Sequence, residues 1–252
     1  MGAEQSFQGQ TALVTGGTRG IGAAIVEALV QAGAQVIATG RDTQGVQQKN
    51  QDPATTYKGR VSFWQADFAD PASTQAFLDR LGEVPRLDVC VNNAGINIVK
   101  PTAELSQAEF ELVDQVNLRA PFRVAQAACR VMARAGYGRV VNIASIWGLI
   151  TRPGRVAYTA SKHGLLGITK TLALDMAPAG ILVNAISPGF TLTDLTRASL
   201  GTEELKRLAG QVPLGRLAQP AEMARVVLFL ASPQNTYITG QNIVVDGGFT
   251  IA

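Results

Sequence analysis

Tyr158 and Lys162 stand four residues apart, with Ser145 a short loop upstream, in the pattern Ser145-(x)12-Tyr158-(x)3-Lys162. The stretch Ala157-Tyr158-Thr159-Ala160-Ser161-Lys162-His163-Gly164-Leu165-Leu166 reads as the start of a helix. Residues i and i+4 share one helix face, which puts the ammonium one turn from the phenol. A phenol with a pKa near ~10 is about one part in a thousand ionised at pH 7. Bringing that pKa to neutrality takes ~3 units, roughly 4 kcal/mol of preferential stabilisation of the phenolate. A lysine held close in a poorly solvated cleft supplies much of that. The product is a proton donor and acceptor matched to neutral pH, as interconversion of an alcohol and a carbonyl requires. The same spacing is common on solvated helix faces, so the elements around it must decide.

Short β-branched runs alternate with helical patterns almost to the C-terminus. Strands are expected at Thr11–Thr15, Gln35–Thr39, Val61–Gln65, Leu87–Asn92, Arg139–Ile143, Ile181–Ser187 and Asn242–Val245. Several are apolar at consecutive positions, the mark of strands covered on both faces. Ile21, Ile25 and Leu29 recur at helical spacing, and longer helical patterns fill Gln107–Ala135, Tyr158–Ala177 and Pro220–Ala231. This alternation predicts an α/β protein: one domain over residues 1–252, a doubly wound seven-stranded parallel sheet with helices on both faces, and ligands at the carboxyl ends of the strands. Two segments break the rhythm. Asp42–Lys58 is polar and Gln-rich, so any helix there is weak, and Phe190–Pro213 is an insert that reads as a lid over a site or as a surface helical hairpin.

With 252 residues the chain can bury a substantial core in one domain. The formal charge is only +3 and no Lys/Arg run tracks nucleic acid, so no nucleic-acid partner is expected. Cys90 and Cys129 read as small buried hydrophobes of a reducing compartment, and His163 is the single histidine, so no metal site is expected. The longest apolar stretch, Val226–Ala231, is too short to span a bilayer, and the N-terminal residues around Glu4 carry no secretory h-region. A cytoplasmic protein without a membrane partner is expected.

The first expected strand runs into Thr15-Gly16-Gly17-Thr18-Arg19-Gly20-Ile21-Gly22 and then into a helix. Glycines at these places let the backbone turn and approach a pyrophosphate, whose charge the helix N-terminus meets. In dinucleotide folds an acidic residue ending the second strand accepts from the adenosine ribose. Here that strand ends in Gly40 and Arg41, and Arg19 can face the same point, which favours a 2′-phosphate and hence NADP(H) over NAD(H). Asp42 is the dissenting residue if it, rather than Arg41, points at the ribose.

Thr15-Gly16-(x)3-Gly20-x-Gly22, Asn92-Asn93-Ala94-Gly95, Asn117, Ser145, Tyr158-(x)3-Lys162, Pro188-Gly189, Tyr237-Ile238-Thr239-Gly240 and Val245-Asp246-Gly247-Gly248 follow one another as in the short-chain dehydrogenase/reductase superfamily, which the chain resembles over its whole length. The resemblance implies a single-domain Rossmann fold. It also implies Tyr158 as general acid/base, Lys162 lowering its pKa and binding the nicotinamide ribose, and Ser145 hydrogen-bonding the substrate oxygen. Asn117 would hold a water that relays protons from Lys162. Cofactor contacts are implied at Gly16, Thr18, Arg19, Gly20, Ile21, Gly22, Gly40, Arg41, Asp67, Asn93, Ala94, Gly95, Pro188, Gly189 and Thr193.

The pattern is most similar to that of 3-oxoacyl-[acyl-carrier-protein] reductases, notably at Ser187-Pro188-Gly189-Phe190-(x)2-Thr193-Asp194. Such reductases present basic residues to an acidic carrier protein, but the positions that align with them here are Gly136 and Ala179. Arg130, Arg134 and Arg155 are substitutes whose placement the sequence leaves open. A free ketone, sugar, hydroxy acid or steroid therefore competes with an acyl thioester as substrate. Trp147 is expected to border the substrate as an apolar or sugar-stacking wall. Arg152 and Arg155 read either as solvated loop charges or as contacts for an anionic substrate. A nucleotide-binding scaffold without turnover is a remote alternative, and the resemblance further implies a homotetramer.

Overall fold

The computed structural model describes residues 6–193 and 201–252. Each β-branched run forms a strand: β1 Thr11–Val14, β2 Gln35–Gly40, β3 Val61–Gln65, β4 Val89–Asn92, β5 Gly138–Ile143, β6 Ile181–Pro188 and β7 Asn242–Val245. All neighbours pair parallel in the order β3-β2-β1-β4-β5-β6-β7, giving the expected seven-stranded Rossmann sheet. The strand order reverses between β1 and β4, and a crevice opens beyond their carboxyl ends at such a switch point.

Side chains alternate across a strand, and both faces are apolar here, which accounts for the unbroken hydrophobic runs. Ala12, Val14, Val89 and Val91 pack beneath helix α1 (Gly20–Gln31), through Ile25 and Leu29, and beneath helix α8 (Pro220–Ala231), through Met223 and Val227. Their neighbours Leu13 and Cys90 face the other way, onto Phe77 and Leu81 of α3 (Pro71–Gly82) and Val124 and Met132 of α5 (Ala120–Ala133). Burying one such aliphatic side chain fully contributes about 1.5–3 kcal/mol.

Three elements differ from the sequence expectation. Helix α3 forms where none was anticipated: the Asp70 carboxylate accepts from Ala72 N–H and Ser73 N–H, and Pro71 occupies the first turn. Helix α2 (Thr43–Gln51) forms despite burying only Val46, because the Asp42 carboxylate caps it through Gln44 N–H and Gly45 N–H. The single helix expected over Gln107–Ala135 is instead α4 (Gln107–Asp114), a π-helical turn (Gln115–Arg119) and α5 in succession. Pro121 has no N–H to offer the Asn117 carbonyl four residues earlier, so regular α-helix cannot run through this point. Helix α6 spans Val156–Met176. Of the lid expected over 190–213, helix α7 (Thr202–Ala209) is seen, with Leu208 buried, whereas residues 194–200 lie outside the described residues.

Candidate active site

The turn after β1 is built by close approach. A Cβ on Gly22 would lie 2.2 Å from the Gly16 carbonyl oxygen and 2.5 Å from Asn93 Nδ2, so no side chain fits. Asn93 Nδ2 donates to the Thr15 and Gly16 carbonyls, both at 3.0 Å. Thr15 Oγ1 accepts from Asn93 N–H at 2.9 Å and Ala94 N–H at 3.1 Å. The glycine turn and the β4 loop are thereby joined into one wall. Helix α1 starts without a side-chain cap, so its first N–H groups and positive dipole end remain available to an anion.

A cleft of about 470 Å³ opens here. It is lined by Gly16, Thr18, Arg19, Gly20, Ile21, Gly22, Gly40, Arg41, Asp67, Asn93, Ala94, Gly95 and Thr193, all expected from the sequence. Asp67 Oδ1 accepts from Ala69 N–H at 3.0 Å, which fixes its carboxylate at the β3 end. Ala66, Phe68, Ile96 and Val116 also line the cleft but were not anticipated; they carry no motif, only a position just past a strand end or in the π turn. Pro188 ends β6, and Gly189 N–H continues its ladder to the Val245 carbonyl at 2.9 Å.

The second-strand end agrees with a 2′-phosphate. A Cβ on Gly40 would meet Thr18 Cγ2 at 2.6 Å and Val46 Cγ2 at 2.9 Å, so no carboxylate can stand there. Asp42 is occupied as the cap of α2, with oxygens 3.3 and 2.8 Å from Gln44 N and Gly45 N. Arg19 and Arg41 are the cations lining this part of the cleft.

On α6 the Lys162 Nζ stands 5.6 Å from the Tyr158 ring centroid. Lys162 is buried and donates to the Ile143 carbonyl at 2.7 Å, at the end of β5. Ser145, just beyond β5, accepts from Trp147 N–H at 3.2 Å. Asn117 Oδ1 accepts from Ile96 N–H and its Nδ2 donates to the Ile96 carbonyl, both at 2.8 Å. A Cβ on Gly95 would lie 3.3 Å from Asn117 Oδ1 and 3.8 Å from Lys162 Nζ, so these residues converge where the cleft meets α6. The Asn117 amide thus braces the β4 loop.

Burial dominates the electrostatics of this pair. Burial raises the Tyr158 phenol above its ordinary value; the Ser145 hydroxyl and the Arg155 charge oppose this, and Lys162 is not among the groups pulling it down. Burial instead pushes Lys162 down to about 8. The lysine donates to the Ile143 carbonyl and bears the desolvation cost, and the phenol is neutral at pH 7.

This burial predicts a pH effect on stability. The unfolded lysine keeps its ordinary value of 10.5 and the folded one titrates at about 8, so the unfolded chain binds more protons between them. Stability therefore rises with pH across that window, and the penalty is complete below it. Against a Lys162→Met variant, the wild type is expected to gain about 2 kcal/mol in urea unfolding between pH 8 and pH 10. Parallel profiles would show that the buried ammonium is not destabilising.

Trp147 does not offer the bare wall expected of it. It is buried, edge-on to Phe190 and Phe249 at 6.3 Å each, and the Arg152 and Arg155 guanidiniums lie over its ring at 5.0 and 5.5 Å. Arg130 and Arg134 instead line a groove between α3 and α5. Gly136 turns with φ +62°, and Ala179 lies in the short turn before β6.

A family model described as Enoyl-(Acyl carrier protein) reductase matches residues 16–250. The chain is 42% identical over 246 residues to the 3-oxoacyl-[acyl-carrier-protein] reductase of Aquifex aeolicus, covering 97% of this chain and 99% of that one. It is 38% identical over 244 residues to the Escherichia coli enzyme of the same name, covering 96% and 98%. Among solved structures, a gluconate 5-dehydrogenase from Burkholderia cenocepacia in complex with NADP and tartrate superposes with a TM-score of 0.90, at 32% identity over 99% of this chain and 98% of that one.

Proposed function

This chain belongs to the short-chain dehydrogenase/reductase superfamily, and we propose that it is an NADP(H)-dependent oxidoreductase interconverting a ketone and a secondary alcohol, as its 3-oxoacyl-[acyl-carrier-protein] reductase relatives are named for doing. The observation that carries the reading is the meeting of a dinucleotide-shaped cleft with Ser145, Tyr158 and Lys162 at the ends of β5 and α6. The nicotinamide, when bound, supplies the hydride that adds to the carbonyl carbon. Ser145 holds the carbonyl oxygen and stabilises the charge that grows on it. The Tyr158 hydroxyl gives that oxygen its proton, and Lys162 with Asn117 returns a proton from solvent. Ketone, NADPH and one proton thus become secondary alcohol and NADP⁺.

A second reading concerns only the carrier of the carbonyl. Gly136 and Ala179 leave the two positions aligned with the carrier-docking residues without positive charge, which supports a free small molecule. We further propose that residues 1–252 act as one unit, with the 190–213 insert over the substrate end. A homotetramer is supported by Phe122 on α5 and Leu174 on α6, apolar side chains left exposed, Leu174 by 77%. Cytoplasmic placement is supported by two buried free thiols, Cys90 and Cys129. Among the described residues no helix is long and apolar enough to cross a membrane.

The test is NADPH oxidation on a panel of 3-oxoacyl thioester, cyclic ketone, steroid and keto-acid substrates. Turnover of at least one is expected, and cofactor binding without turnover on any would favour a nucleotide-binding scaffold.

A further inference from the structure

Two guanidiniums stand over Trp147, two residues after Ser145, and the charge of one of them, Arg155, acts on the Tyr158 phenol. Arg155 immediately precedes α6, three residues before Tyr158, and Arg152 lies in the loop leading to it. They are not freely solvated loop charges. The loop is tied down by the Thr151–Thr159 hydroxyl pair at 2.9 Å and by Lys100 N–H donating to the Gly154 carbonyl at 3.2 Å. Both guanidiniums lie over Trp147, whose ring is fixed by Phe190 and Phe249.

Neither charge is neutralised by the described residues. Among the described residues no carboxylate forms an ion pair with Arg152 or Arg155. Glu204 of α7 feels the field of Arg152, but both its oxygens are taken by Arg207, at 2.7 and 2.6 Å. Arg155 Nε is buried with no hydrogen-bond partner. Burial, with Arg152 as a like-charged neighbour, makes the Arg155 charge costly where it stands. A buried donor of this kind is ordinarily satisfied, and a like-charged pair in a shielded place is stabilised by an anion between its members.

We propose that Arg152 and Arg155 form an anion subsite beside Trp147 and Tyr158, and that the carbonyl reduced there belongs to a molecule bearing its own free carboxylate, a short oxo acid or hydroxy acid. In a 3-oxoacyl thioester the carboxyl is masked and neutral, so nothing in that substrate near the ketone needs two cations. In an oxo acid the carboxylate is ionised at neutral pH and takes charge-assisted bonds from the guanidiniums, which sets the ketone toward Ser145 and Tyr158. This rests on the ketone–alcohol reading above and names the substrate class for it.

The test compares acetoacetate with ethyl acetoacetate, one 3-oxo skeleton with and without charge, using NADPH. Arg155→Gln is expected to lower the acid-to-ester ratio of kcat/KM by roughly tenfold or more, through the KM of the acid, and Arg155→Lys to restore part of it. An unchanged ratio, or preference for acetoacetyl thioester that Arg155→Gln leaves alone, overturns the proposal. A second measurement stands apart from turnover: calorimetric titration of the NADP⁺-loaded protein with malonate. Binding weakened roughly tenfold in Arg155→Gln supports the subsite, and equal binding overturns it. Should no ketone be turned over, the ketone–alcohol reading fails while the malonate titration still decides the subsite.

Discussion

A Tyr158→Phe variant is expected to bind NADPH like the wild type and to reduce ketones about 10²- to 10⁴-fold more slowly, the range that a positioned general acid contributes. The substitution removes one oxygen and leaves the ring beside Lys162, so folding and the cofactor cleft are spared. What disappears is the hydroxyl that hydrogen-bonds with Ser145. The phenol is in the protonated state for that task, and the Ser145 hydroxyl and the Arg155 charge work against the hold that burial has on its proton. Its own conjugate is then re-protonated through Lys162, whose value of about 8 lies close to working pH. Single-turnover NADPH oxidation beside a fluorescence titration of NADPH separates the two effects. Turnover within tenfold of wild type would remove Tyr158 from the mechanism.

The second large effect is expected at Arg41. Wild type should use NADPH at least roughly tenfold more efficiently than NADH, and Arg41→Asp should invert the preference by placing a carboxylate at the ribose end. At an effective dielectric near ~20, a charge pair at ~4 Å is worth roughly 4 kcal/mol. Arg41 is exposed, so screening cuts that figure substantially, and the wild-type preference should shrink further as salt is raised. The reason for singling out Arg41 is that its neighbours are committed: Gly40 is walled in by Thr18 and Val46, and Asp42 is spent on capping α2. Equal kcat/KM for the two cofactors in the wild type would contradict this view of the strand end.

Much of this was legible in the residues. Most strands are covered on both faces and write themselves as continuous β-branched runs, the half-buried β7 does so as well, and all seven appear within a residue or two of their expected bounds. The glycine turn was legible because Gly22 answers a steric demand between neighbours in the chain. Helix α3 was missed although Asp70-Pro71 is a strong start signal, since its apolar positions Phe77, Leu78 and Leu81 are short of a full amphipathic pattern. The π turn was missed because its cause, Pro121 opposite the Asn117 carbonyl, shows only once the helix is built. The dissent of Asp42 could not be settled either, because a cap and a ribose acceptor look alike until the carboxylate is seen on Gln44 and Gly45. The covering of Trp147 depends on where a loop folds back, and no periodicity encodes that. That Lys162 reaches the Ile143 carbonyl was not legible, because spacing fixes the helix face and not the atom that the ammonium meets.

The pinning of residues 151–155 has a practical side. Two contacts, Thr151 to Thr159 and Lys100 to Gly154, hold the stretch that carries the arginines, and neither involves Ser145, Tyr158 or Lys162. The segment is therefore a cassette with its own anchors. Transplanting it between related enzymes, with Lys100 and Thr159 kept, offers a way to exchange substrate charge while the hydride and proton apparatus travels unaltered from host to host.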